Sequence, residues 1–570
     1  MTSFKKRTLA VAVALAAAPA AFAGTAPYFI PLTQDAHTVA PNAAPEQESP
    51  WFVPAGMTQE LVTSMREIEA DASQSVQRVP AGQNSSMWDM TALDPSGNYM
   101  FIPHETPIGA GVTRYDIAND KATLIFAGDQ QGAGPDGARA TADDMWDHDF
   151  GAFDPSRYTP NGTVIAAEEW SGLGRVVEIM DPFASPADPV AGSPSMVEGT
   201  DWRVLPIANV SHEGINFSLK HPDQIIYFID EHRSGSIYKM VLKTPGDYAA
   251  GGQTFALKAA NYLGDVTINW NSGNNGTPAV LASRFGLGSW EPLTDADGNP
   301  LPGINPIIGA TTLNCAAGDA ADQCRDGDIR PGRVAADDAG GTPFGRPEDT
   351  GVQILPNGNE ILYIATTSED SVISIEETAA GPMVRLFASE NGPDGSGVGT
   401  PKNVGFLPTS GRLNAPDNIA IDSLGNVYIV EDGPNNGNAQ GIGSNGDVWF
   451  ARDMDNDGVA ESLDHFMSLQ VSGAENTGML FNPNNPTEFW LTSMHPRSVD
   501  LANFPDGIGD ALWKFDIANI APPACEGPRS NWMTFDKASR RWVRACSNTR
   551  DFNLPERMDA NTGSVEFPVQ

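Results

Sequence analysis

Short apolar runs alternate along this chain with clusters of Pro, Asn, Asp and Gly, and one unit recurs. A polar head is followed by a strand, a tight turn and a second strand. The clearest copy starts at Arg346-Pro347-Glu348-Asp349. The run Val352-Gln353-Ile354-Leu355 follows, then the turn Pro356-Asn357-Gly358-Asn359, then Ile361-Leu362-Tyr363-Ile364-Ala365. Further copies lie at 94–102, 153–166, 221–229, 421–430 and 481–491. Neighbouring copies stand roughly 60–70 residues apart, which suits one four-stranded propeller blade with generous loops. The pattern predicts an all-β fold, a six-bladed β-propeller. The long gap at about 241–345 is an insertion, or hides a seventh blade.

The ends of the chain read differently. Residues 1–23 combine a basic start, Lys5-Lys6-Arg7, an apolar core from Leu9 to Ala16 and the small-x-small site Ala21-Phe22-Ala23. That is a secretory signal of the Sec type, with no paired arginines. It predicts a mature protein in a periplasm or outside the cell, and nothing later reads as a membrane span. Residues 24–80 form an N-terminal extension with one short helix at 58–70, and 81–570 hold the propeller. The run Ala511-Leu512-Trp513-Lys514-Phe515-Asp516 is a candidate for the strand that closes the ring with N-terminal segments. Four cysteines in an oxidising compartment suggest two local disulfides, Cys315–Cys324 and Cys525–Cys546, because the spacings match no zinc site.

Charge narrows the partners. The formal net charge is −38, and −41 once the three basic residues of the leader are removed. Such a surface repels nucleic acid and anionic membranes and suits divalent cations. A monomer acting on a small molecule is expected.

The heads and tails of the strand pairs carry the chemistry. Heads read Trp88-Asp89, Asp147-His148-Asp149, His212-Glu213-Gly214, Arg346-Pro347-Glu348, Pro416-Asp417-Asn418 and Glu475-Asn476-Thr477-Gly478. Tails read His104-Glu105, Glu168-Glu169, Asp230-Glu231, Thr366-Thr367-Ser368-Glu369, Glu431-Asp432 and Ser493-Met494-His495. In a propeller the first strand of each blade lines the central channel, so these groups converge on one mouth. Carboxylates crowded into a partly desolvated site cannot all ionise unless cations neutralise them. Carboxylates favour hard ions such as Ca²⁺, and a mixed carboxylate–imidazole set can hold iron or zinc.

In its motifs the chain resembles the PhoX family of alkaline phosphatases. The resemblance rests on His212-Glu213-Gly214, Arg346-Pro347-Glu348, Glu168-Glu169, Glu475-x-Thr477-Gly478 before a strand ending near His495-Pro496, and Gly111-Val112-Thr113-Arg114-Tyr115. It covers most of residues 85–500. It implies hydrolysis of phosphate monoesters at a mixed iron–calcium cluster in a propeller channel. Glu213, Glu348 and one of Glu168 and Glu169 would be metal ligands, Glu475 a further one, and Arg346 would clamp phosphate oxygens. Bound cations would polarise the phosphoryl group. The planar guanidinium of Arg346 would match two of its oxygens and stabilise the transferring charge. Two departures stand out. The family has a cysteine ligand upstream of the paired glutamates, where this chain reads Trp146-Asp147-His148-Asp149-Phe150-Gly151-Ala152-Phe153-Asp154, and its twin-arginine signal is missing. Both favour a calcium-dominated cluster over one that needs Fe³⁺.

A separate motif, Asp453-Met454-Asp455-Asn456-Asp457-Gly458-Val459-Ala460-Glu461, has oxygen ligands at alternate positions and glycine at the sixth, with Asp464 at the twelfth. This is the spacing of an EF-hand-type calcium loop, so Asp453, Asp455, Asp457, Glu461 and Asp464 are candidate ligands of a structural ion on the propeller rim. Two other readings compete with phosphatase. Asn414-Ala415-Pro416-Asp417-Asn418 followed by Gly425-Asn426-Val427-Tyr428 resembles calcium-dependent, gluconolactonase-type propellers. A non-catalytic calcium-binding propeller is the third. Neither a Gly-x-Ser-x-Gly elbow nor a P-loop is present.

Overall fold

The computed structural model describes residues 28–520 except 71–86, 133, 136–144, 171–173, 184–200, 271–276, 310–330, 393–396, 433–445 and 501, together with the strands Met533–Asp536 and Arg541–Arg544. The expected signal and all four cysteines lie outside the described residues.

The chain folds as a β-propeller. Blade 1 is built from Ala92–Leu93, Tyr99–Pro103, Gly111–Asp116 and Lys121–Ala127, and blade 2 from Phe153–Tyr158, Val164–Glu168, Val176–Ile179 and Trp202–Leu205. Blade 3 comprises Ile215–Phe217, Ile225–Ile229, Ile237–Leu242 and Gly252–Ala259. Blade 4 comprises Pro347–Ile354, Glu360–Thr366, Ser371–Thr378 and Gly381–Ser389. Pro416–Ile421, Val427–Glu431, Asp447–Arg452 and Ser462–Leu469 make blade 5. Glu475–Asn482, Asn485–Met494 and Ala511–Asp516 make three strands of blade 6, and its fourth is Thr58–Ser64 from the other end of the chain. The first strand of each blade packs on the first strand of the next, and Glu475–Asn482 packs on Ala92–Leu93 to close the ring. Among the described residues, then, six blades correspond to the six sequence repeats.

Two features differ from the sequence expectation. The helix read at 58–70 is a strand over Thr58–Ser64 and a helix only over Met65–Ala70. A partner strand outweighs local helix preference here: Thr58 to Ser64 pair in antiparallel register with Asp516 to Ala511. The stretch read as an insertion, about 241–345, begins with the outer strand of blade 3. A further strand, Gly286–Pro292, then bridges that edge to Gly381–Ser389 of blade 4 and fuses the two blades into one sheet. A helix from the same stretch, Pro331–Asp338, is anchored by a fully buried ion pair in which Arg333 donates to Asp230 at 2.7 and 2.8 Å.

The core lies between blades. Facing strands of blades 5 and 6 bury Phe450, Phe466, Phe481, Phe489, Trp513 and Phe515, and the N-terminal Tyr28 and Phe29 join this cluster. The channel is plugged part-way by Arg157 of blade 2, which meets Asp349 of blade 4 at 2.5 Å while its Nε donates to the carbonyl of Ile215. No helix among the described residues is long and apolar enough to cross a membrane.

Candidate metal centre

One local device aims a carboxylate into the channel mouth, and it repeats around the ring. In five blades a residue with positive φ stands two positions before an acid: Met87 before Asp89, Ala152 before Asp154, Arg346 before Glu348, Ala415 before Asp417 and Gly473 before Glu475. Four of those five are not glycine, in a region that costs other residues about 1–3 kcal/mol each. Blade 3 reaches the same arrangement at Ser211 and Glu213 without it. At Asp154, Glu348 and Asp417 the ladder also slips register, so the acid sits in a bulge that re-aims its side chain.

The same turn brings each blade's tail beside its head. The carbonyls of Met87, Ala152, Ser211 and Ala415 accept from the backbone N–H of Glu105, Glu169, Glu231 and Asp432, at 2.7 to 2.9 Å. In blade 4 the partner of the Arg346 carbonyl is the N–H of Thr367, at 3.0 Å. Head and tail acids thus form a continuous field of negative charge. Burial raises the carboxyl of Glu213 well above the usual range, with Glu348, Asp417 and Asp154 adding to the effect. Burial also lifts Asp154, helped by Asp89, Glu105, Asp417 and Glu348. Glu348 is pushed up to about 7 by burial, against the pull of Arg346.

At the centre, Glu213, Glu348 and Asp417 from three adjacent blades each place an oxygen within 4.8 Å of the others. All three are buried, and among the described residues neither carboxylate oxygen of Glu348 nor Oδ1 of Asp154 accepts a hydrogen bond, although Arg346 stands 3.3 Å from Glu348. Buried acceptors left unpaired at such density are costly unless a cation lies among them. The donor set is therefore a fit for a hard metal ion, and its oxygen ligands suit calcium.

The sequence candidates separate on this geometry. Glu213 and Glu348 meet. Of the paired glutamates, Glu168 is held by Arg175, which donates to it from Nε and Nη2 at 2.7 and 2.9 Å, and by the N–H of Gly151. Glu169 is the one that faces the acids, beside Glu231 and Glu105. Glu475 is engaged by Nε2 of His495 at 3.1 Å. The Nδ1 of that ring donates to the carbonyl of Gly473 at 2.9 Å. Opposing burial, Glu475 favours the charged ring, and the imidazolium persists to about 10. Arg346 is about one-third exposed at the mouth, contacting Glu231, Glu348 at 3.3 Å and Asp432 at 3.8 Å.

Asp89 and Asp417 stand among the heads expected from the sequence but are not assigned there as ligands, and Asp154 is not among those heads. In blade 2 the head is Asp154 and not Asp147-His148-Asp149. Asp149 is fully buried but saturated, accepting from the N–H groups of Gly109, Gly132 and Phe150. Aligning the repeats on Arg346-Pro347-Glu348 would have found the others, since Ala415-Pro416-Asp417, Ala152-Phe153-Asp154 and Met87-Trp88-Asp89 share its frame.

The loop between the third and fourth strands of blade 5 brings Asp453, Asp455, Asp457 and Glu461 together, with ligand atoms within 4.8 Å of one another. Strand direction puts this hairpin on the face opposite the channel mouth. Asp464 is not part of the group. The chain has already entered the strand Ser462–Leu469, and its buried carboxylate pairs with Arg452 at 2.8 Å and Ser462 at 3.1 Å.

The family described as alkaline phosphatase PhoX matches residues 193–496. Among solved structures, Pseudomonas fluorescens PhoX in complex with vanadate, a transition state analogue, superposes with a TM-score of 0.50 at 15% identity, covering 87% of this chain and 98% of that one. A gluconolactonase from Xanthomonas campestris gives 0.33 at 10% identity, covering 85% of this chain and 98% of its own. No curated protein matches.

Proposed function

The chain belongs to the alkaline phosphatase PhoX family, and from that premise we propose that it hydrolyses phosphate monoesters at the carboxylate-lined mouth of the propeller channel. The observation that carries this reading is the convergence of the buried acids Glu213, Glu348 and Asp417, among which neither oxygen of Glu348 accepts a hydrogen bond from the described residues. These three residues, with Asp154 beside them, would hold the metal. Calcium is the ion the all-oxygen set favours, and iron is not required by any donor in this group. When bound, such cations would polarise a phosphoryl group and offset its negative charge.

The chain's own residues do the rest. Arg346 presents its guanidinium at the mouth, one-third exposed, where a phosphate can reach it. Glu231 and Asp432 orient the fork so that little freedom is lost on binding. Its fixed charge then stabilises the equatorial oxygens during transfer. His495 adds a second cation on blade 6 and ties Glu475 down. The Arg157–Asp349 pair blocks the channel below, so substrate enters and leaves by the same mouth. The start of the chain supports export to a periplasm or beyond, and the Asp453–Glu461 loop is read as a second, structural calcium site.

Hydrolysis of p-nitrophenyl phosphate by purified protein with calcium tests the proposal. Arg346→Ala should lower kcat/KM by about 2–4 kcal/mol of transition-state stabilisation. Equal turnover with and without Arg346 removes its role. Turnover of a lactone with none of phosphate esters overturns the reading itself.

A further inference from the structure

A third group of ligand-type side chains lies away from the channel. The N-terminal strap from Tyr28 to Val39 runs along the outer strand of blade 5: the N–H of Leu32 donates to the carbonyl of His465 at 2.8 Å, that of Ala36 to the hydroxyl of Ser468 at 2.8 Å, and that of Val39 to the carbonyl of Gln470 at 2.8 Å. Midway, Asp35 of the strap faces Asp447 and His465, which lie on the third and fourth strands of the blade. Their ligand atoms are all within 4.8 Å of one another.

The partners these groups lack point to an ion. Asp447 and His465 are fully buried, and among the described residues both oxygens of Asp447, Nε2 of His465 and Oδ1 of Asp35 have no hydrogen-bond partner. Asp447 Oδ2 and His465 Nε2 stand 3.2 Å apart, without the alignment of a hydrogen bond. Two ligands about 2.1 Å from one shared ion lie about 3.0–3.4 Å apart. On the far side of the ring, Nδ1 and the hydroxyl of Thr409 share a hydrogen bond at 2.8 Å, and Trp449 stacks on the imidazole, which fixes Nε2 toward the two acids. Glu431, next door and equally buried, is different. It accepts from the N–H groups of Asn414, Asp447 and the Trp449 indole, so it is saturated and has nothing left to offer.

We propose that Asp35, Asp447 and His465 bind a divalent first-row transition ion of the zinc class, which pins the N-terminal strap to blade 5. An imidazole with two carboxylates selects such an ion over calcium, whose ligands are oxygens. The site is independent of the channel acids and works on structure.

Metal-free protein saturated with Ca²⁺, so that the oxygen sites are filled, is titrated with Zn²⁺ and bound zinc is counted. Wild type should take up one equivalent that Asp35→Asn does not, with calcium content and phosphate-ester turnover unchanged between the two. Hydrogen exchange over residues 28–39 should slow on adding zinc to wild type and not to the variant. Asp35 lies on the strap and is partly exposed, so its variant keeps the blade core intact, and crystals of wild type soaked in zinc give a second readout as an anomalous peak among the three side chains. Equal zinc uptake by the two proteins, no peak at that position, or calcium there in place of zinc overturns the proposal.

Discussion

At the scale of single residues, Asp417 separates a shared ion site from a chance gathering of acids. It faces Glu213 and Glu348 across two blade boundaries, and its carboxyl is raised by burial and by Glu348, Asp432 and Asp89. Asp417→Asn keeps the shape and removes one charge. If the three acids share a cation, the variant should lose at least one equivalent of channel metal and on the order of a hundredfold in phosphatase activity, yet the metal-free fold should be no less stable, because a repulsive charge has gone. Elemental analysis and a chelated melting curve check this, and unchanged metal content would remove Asp417 from the site. The legibility of individual positions follows the same physics. Glu213 and Glu348 were readable because each sits in a short distinctive motif. Choosing Glu169 over Glu168 was not, since it depends on Arg175, whose approach to Glu168 is set by tertiary packing. Asp464 shows the converse: spacing alone nominated it, but strand pairing had already committed its side chain to Arg452.

At the scale of elements, the repeated strand pair was plain in the sequence because period-two apolar runs and Pro/Asn/Gly turns are local signals. The strand Thr58–Ser64 was not, since its state is decided by a partner hundreds of positions away. The Asp453–Glu461 hairpin is the element whose prediction is most direct. Asp453 caps it by accepting from the N–H groups of Asp457 and Gly458 at 3.1 and 2.9 Å, and Gly458 turns with φ of 84° against Ser374 of blade 4. A cation there would join blades 4 and 5 at the face away from the mouth. Asp455→Ala should abolish one calcium equivalent and lower Tm by a few degrees, corresponding to about 1–2 kcal/mol, while turnover at saturating calcium stays near wild type. A large loss of kcat with intact Tm would place this loop in catalysis and not in support.

At the scale of the whole molecule, ten acids from head and tail positions converge on one mouth, and their protons report whether cations are present. In the metal-free protein burial holds Asp89, Glu348 and Glu105 protonated to about 6, 7 and 8. Unfolded, such groups release their protons near pH ~4. Between those limits the folded state binds more protons than the unfolded one, so stability falls as pH rises and the loss is complete above the raised values. Bound cations replace the protons and remove that slope. His104 and His212, buried and held neutral down to about 3 and 4 by desolvation, contribute the opposite slope at acid pH. They do so equally with and without metal, so they cancel in the difference between the two curves, which reports the channel acids together with His495 on Glu475. The Tm gap between calcium-loaded and chelated protein should therefore widen steadily from about pH 5 to about pH 8, as measured by scanning fluorimetry in matched buffers. A gap that does not change with pH would mean that the acids do not share their charge with a metal.

The ring is sealed by Thr58–Ser64 lying against Ala511–Asp516. A polypeptide emerging from its amino end therefore shows that early strand as a bare edge until residues 511–516 of blade 6 have followed. The circle thus cannot lock before strands of all six blades have been made, and Ala511–Asp516 is the strand that completes it.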